Sequence, residues 1–166
     1  IKAFHLLQAF RQGVLKTHQV FNINKLAKYY VITELLGGLH GTEWTNTRFY
    51  YNPITALFEP IGFDGNSGEQ TRYSIFNLEK NKNIFNSLIF GDPLFKEEYI
   101  NELNKISSNQ YIKNNIEIIN QKYKVRLDFN YPILSKLFFS TKRLLENKAY
   151  LIEKLNRITI KKVPPI

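Results

Sequence analysis

The sequence predicts an α+β fold, mostly helical, with one small antiparallel β-hairpin set into it. Two observations predict this. Apolar residues recur at helical spacing over most of the 166 residues. One stretch breaks that rhythm: Thr47 to Tyr51 and Leu57 to Phe63 are short, rich in aromatic and β-favouring residues, and separated by Asn52-Pro53. A lone two-stranded ribbon is marginal in water, so the hairpin has to pack on the helices.

Taken in order, Ala3, Phe4, Leu6, Leu7 and Phe10 fall on one helical face, and Gly13 stands where a C-terminal cap ends the run near Gln12. Asn22 or Asn24 can cap a second helix, and its broad apolar surface (Leu26, Ala27, Tyr30, Val31, Leu35, Leu36) marks it as buried. This helix stops at Gly37-Gly38, and the two strands follow, with Asp64-Gly65 at the exit of the second. From Asn66 to Glu79 the chain is polar and reads as a mobile loop beside the hairpin. Asn83 to Phe90 reads as a short helix stopped by Gly91. Asp92-Pro93 supplies an N-cap followed by proline at the first helical position, and Leu94, Phe95, Tyr99, Leu103 and Ile106 give the buried face of the helix it starts. Gln110 to Leu127 repeats the pattern through Ile112, Ile116, Ile119, Tyr123 and Leu127. After Pro132, one or two helices run from Ile133 to Leu155 through Leu137, Leu144, Leu145, Leu151 and Ile152.

This length suits one domain spanning 1–166, large enough to bury about two thirds of the surface its unfolded chain would expose. Cysteine is absent and there are three histidines, so neither disulfides nor a thiolate zinc site stabilises it. Without cysteine the redox compartment stays open, and a periplasmic or cytosolic home is equally permitted. No apolar run approaches the roughly 20 residues of a membrane helix, and the first residues are not a signal peptide. The net charge of +9 favours anionic partners, but the basic residues are spread along the chain and no nucleic-acid motif accompanies them. Nucleic acid is therefore not the expected partner. The chain opens on Ile1 and closes on Lys161-Lys162-Val163-Pro164-Pro165-Ile166, which reads as a piece of something longer.

Reactive side chains concentrate between Leu36 and Gly68. Asn46 precedes the first strand and Asp64 follows its partner, so an antiparallel pairing brings them to the same end. Together they offer hard oxygen ligands of the kind magnesium accepts when phosphate completes its shell; alternatively, Asn46 caps a turn and Asp64 forms an Asx-turn with Gly65. His40, in a glycine-flanked loop, can take a proton from a hydroxyl or serve as an ordinary hydrogen-bonding residue. Glu43 is a second candidate base or a surface carboxylate. Trp44 can stack on a ligand ring or act as a wedge between hairpin and helices. Arg48 can contact a phosphate or pair with Glu59. His5 and His18 have no polar company in the sequence and receive no role.

The order of these features resembles the CotH family of spore-coat-type kinases. A buried helix ends in Glu34-Leu35-Leu36-Gly37-Gly38, a loop carries Asn46, an aromatic strand reads Arg48-Phe49-Tyr50-Tyr51, and a second strand ends in Pro60-Ile61-Gly62-Phe63-Asp64. The likeness covers about Phe21 to Gly68 and extends loosely over the helical remainder. It implies the helical lobe of an atypical protein-kinase-like fold that transfers phosphate from ATP, with magnesium, to a serine of a protein, at the cell envelope or surface. In that family Asp64 would match the metal-binding aspartate and Asn46 the asparagine of a second metal. The sequence departs from the family at His40, where the catalytic aspartate is expected, and at Gly62-Phe63. No glycine-rich loop or strand lysine for the ATP phosphates is present, so the nucleotide-clamping lobe is expected upstream and this piece alone is expected to be inactive. The alternative is a catalytically weak or inactive kinase-like module that binds or scaffolds a partner protein.

Overall fold

A computed structural model describes residues 2–68, 71, 84–106, 108, 110, 111, 114, 118, 121, 122 and 141–160. Its helices are α1 (Lys2–Arg11), α2 (Thr17–Val20), α3 (Ile23–Leu35), α4 (Ile84–Phe90), α5 (Pro93–Ile106) and α6 (Thr141–Ile160). The strands β1 (Arg48–Asn52) and β2 (Leu57–Ile61) form a two-stranded antiparallel sheet, and Leu39–Thr42 is a 3-10 turn. The mostly helical α+β architecture is as the sequence predicts. No helix among the described residues is long and apolar enough to cross a membrane.

α3 is the central element, packing against α5, α6, β2 and the 3-10 turn. Asn22 caps its start by accepting the Lys25 N–H (3.2 Å). At its far end Gly37 adopts φ +65°, and its N–H closes on Glu34 O at 3.0 Å. Leu26, Ala27, Tyr30, Val31 and Leu35 are buried, the broad face the sequence required. The Tyr30 hydroxyl, deep in this core, donates to Asn86 Oδ1 at 2.6 Å.

The hairpin rests on an aromatic layer. Phe21, at the exit of α2, bridges to Phe58 of β2, and the next amide, Asn22 N–H, donates to Phe58 O at 2.9 Å. The Phe21 ring lies 5.0 Å from both Phe10 and Phe49, and Phe85 of α4 closes the cluster. In the turn, Asn52 Oδ1 accepts the Ile54 N–H (2.9 Å) and Ala56 takes φ +55°. The register pairs Arg48 with Ile61 and Asn52 with Leu57, so both strands end near 46–48 and 61–64.

Several expectations are corrected. α2 is a helix that periodicity did not reveal, being only four residues long. Leu94 and Leu145 are exposed rather than core, because the buried faces of their helices run through Phe95, Tyr99, Leu103 and Ile106 and through Leu144, Leu151 and Leu155. The polar stretch after β2 is anchored at two points: Gly68 N–H donates to Leu36 O (2.8 Å), and Thr71 is buried. Residues 69, 70 and 72–79 of the expected loop, most of 110–127, and 133–140 lie outside the described residues.

Candidate functional site

The 3-10 turn after α3 carries His40 past the end of the hairpin. Asn46 Nδ2 lies 2.8 Å from His40 Nε2 and 3.3 Å from His40 O, so the amide donates to the ring nitrogen and caps the turn. Asp64 Oδ2 reaches the same Nε2 at 3.5 Å, and Glu43 Oε2 stands 3.5 Å from Nδ1. Three other predicted site residues therefore converge on the His40 imidazole. The side chains are 44% (His40), 57% (Glu43) and 55% (Asp64) exposed, so the cluster faces solvent.

Backbone shape builds this corner. Asp64 and Asn66 hold φ +40° and +49°, a region costly for side chains other than Asn and Asp. Gly41 is needed because a Cβ there would meet Tyr29 Oη at 3.1 Å and Gly65 Cα and Phe63 O at 3.2 Å. The Tyr29 hydroxyl donates to Gly41 O at 2.7 Å, and burial pushes its pKa up, so it stays a neutral donor. Beside the corner lies an open groove of about 340 Å³, walled by Tyr29 and Ile32 of α3, by its C-cap Leu36, and by Phe63, Asp64 and Ser67.

Asp64 makes no Asx-turn with Gly65; apart from the His40 ring, no group among the described residues approaches its carboxylate. With the Asn46 amide nitrogen turned to His40, its Oδ1 keeps its lone pairs. Asn46 Oδ1 and the Asp64 carboxylate are hard oxygens, the ligand type that magnesium prefers. They do not make a complete cage: among the described residues no group of three or more His, Asp or Glu side chains could hold a metal.

Arg48 does not pair with Glu59. Its Nη1 donates to Thr45 O (2.7 Å) and Thr47 O (3.2 Å), and its guanidinium lies 4.6 Å over the Phe63 ring. Glu59 instead takes Lys25 (2.6 Å) and Asn52 (3.0 Å), which together lower its pKa. The Trp44 ring packs 4.6 Å from Phe85 with Arg11 at 5.9 Å, joining the 3-10 loop to α4 in the manner of a wedge.

The absence of polar company for His18 is the expectation most clearly overturned. Its Nδ1 lies 2.7 Å from Asp92 Oδ2, which also accepts the His18 N–H (2.8 Å), while Asp92 Oδ1 accepts the Leu94 N–H (3.0 Å). Only the N-cap role of Asp92 was visible in the sequence; the partner lies 74 positions away.

No family model, curated protein or solved structure matches this chain.

Proposed function

We propose that this chain is the larger, helical lobe of a CotH-like phosphotransferase, in which the intact protein moves a phosphoryl group from ATP to a hydroxyl of a partner protein. The observation that supports the reading most is the convergence of Asn46 and Asp64 on His40 Nε2 at 2.8 and 3.5 Å, beside an open groove. Asp64 and Asn46 would hold magnesium through their Oδ atoms, and bound there the ion neutralises phosphate charge. His40 would take the acceptor's proton on Nε2 after the Asn46 amide releases it, while Glu43 orients the ring from the Nδ1 side or serves as the second base. Arg48, fixed by two carbonyls and the Phe63 face, keeps guanidinium N–H groups for a phosphate oxygen. The phosphate-cradling part belongs to another segment of the intact protein.

A second reading has its own observation. Both ring nitrogens of His40 already face a neighbour, Nε2 toward Asn46 and Asp64 and Nδ1 toward Glu43. A ring so occupied suits a module that binds a nucleotide or partner protein without efficient transfer. Calorimetric titration of the intact protein with ATP and magnesium, combined with a phosphate-transfer assay, separates the two. The first reading requires saturable binding that Asp64→Ala abolishes and transfer that His40→Ala abolishes. Binding without transfer selects the second, and binding that ignores Asp64→Ala removes both.

A further inference from the structure

Two lengths of backbone carry the corner, and both are anchored behind it. One leaves α3 at Leu36 and reaches His40 and Asn46; the other leaves β2, passes Asp64 and reaches Thr71. They meet at the C-terminal end of α3, where carbonyls lack partners within the helix. Leu36 O accepts the Gly68 N–H at 2.8 Å, and Glu34 O accepts the Thr71 hydroxyl at 2.6 Å. Asn147, reaching in from α6, donates from Nδ2 to Leu35 O at 3.1 Å and accepts the Thr71 N–H on Oδ1 at 2.8 Å. Both Asn147 and Thr71 are buried, and the first segment's Glu34 side chain is buried too, accepting the Tyr99 hydroxyl of α5.

We infer that Asn147 is a positioning residue for the corner, fixing the Asp64 arm to the end of α3, from which the His40 arm leaves, through its paired bonds to Thr71 and Leu35. The inference rests on reading that corner as the reactive site. A carboxamide is a side chain that offers a donor and an acceptor at once, so one residue satisfies a carbonyl at the end of α3 and an amide of the Asp64 arm. An apolar residue of the same volume would fill the space and leave both backbone groups dry and unpaired. Among the described residues between Asp64 and Thr71, the arm is also tied to the end of α3 by the Gly68 amide and the Thr71 hydroxyl. Its position relative to His40 therefore depends on a helix that begins 77 positions after Asp64 in sequence, at Thr141 (141 − 64).

The test compares Asn147→Ala, Thr71→Val and Thr71→Ser with the parent protein by NMR of the His40 ring and the Gly65 amide, alongside thermal melts and magnesium–ATP titration. Asn147→Ala and Thr71→Val should shift both resonances and weaken metal–nucleotide affinity by about tenfold or more. Thr71→Ser, which retains the hydroxyl and the N–H, should keep the parental signals and affinity. A lowered melting temperature with the His40 and Gly65 signals unmoved would overturn the inference and leave Asn147 a packing residue. If Asn147→Ala does not fold, Asn147→Asp, which keeps the acceptor for the Thr71 N–H and loses the donor to Leu35 O, is read by the same two resonances: they should move, and unmoved signals overturn the inference. Should the parent protein bind no nucleotide, the proposed function fails, while the two resonances still decide whether Asn147 positions the arms.

Discussion

Two histidines in this molecule face an aspartate, and the contrast between them separates structure from candidate chemistry. His18 and Asp92 stand 2.7 Å apart with the carboxylate 1% exposed; His40 and Asp64 stand 3.5 Å apart with the carboxylate 55% exposed. Asp92 is filled by two backbone N–H groups and a ring nitrogen, and it joins α2 to the start of α5. Burial alone would push its carboxyl up, but the hydrogen bonds from the His18 backbone and ring and the Leu94 amide outweigh that and hold it below the usual carboxylate range. Asp64 has the His40 ring alone among the described residues and sits in a strained backbone region. A carboxylate with its lone pairs filled holds elements together. One left short of partners is available to a ligand.

The largest expected effect breaks the first pair. Asp92→Ala removes an N-cap and orphans two amides, so urea denaturation should show a loss of about 2–4 kcal/mol. A loss near zero would erase the distinction between the two aspartates. Next, Gly41→Ala should cost about 1–3 kcal/mol in the same assay, because its Cβ would press on Tyr29 and on the Phe63–Gly65 backbone. It should also move the Asp64 arm, seen as a shifted Gly65 amide resonance.

Acid sharpens the comparison. Because the folded carboxyl of Asp92 titrates below its unfolded value of about 3.9, its contribution is complete above about pH 5 and is lost as pH falls through the lower folded pKa. Chemical denaturation across that range should show this acid slope in the parent protein and a shallower one in Asp92→Asn, where the share from the lowered Glu59 carboxyl remains. The smallest effect has the opposite sign. Asp64→Gly relieves the positive φ and should gain about 0.5–1 kcal/mol while removing a predicted ligand. A clear loss of stability instead would mean that Asp64 is cement like Asp92.

What the sequence made legible follows the range of the interactions. Gly13, Asn22, Gly37 and Asp92 act on their own turns, so element ends were readable. The meeting of Asn46 and Asp64 was readable because an antiparallel hairpin fixes which ends coincide. Pairings that depend on packing were not. Lys25 claims Glu59 across 34 positions, and His18 finds Asp92 across 74. Leu94 and Leu145 each sit beside the true buried stripe, where an apolar side chain one position off still fits the helical pattern. The short α2 lacks the length that periodicity needs.

The central claim, that the His40 corner receives a metal-bound phosphate, is tested most directly by adding manganese and ATP to the intact protein and following the three histidine ring signals by NMR. Paramagnetic broadening should select His40, spare His18, and disappear in Asp64→Ala. Equal broadening of His18 and His40, or broadening at His40 that survives Asp64→Ala, would contradict it.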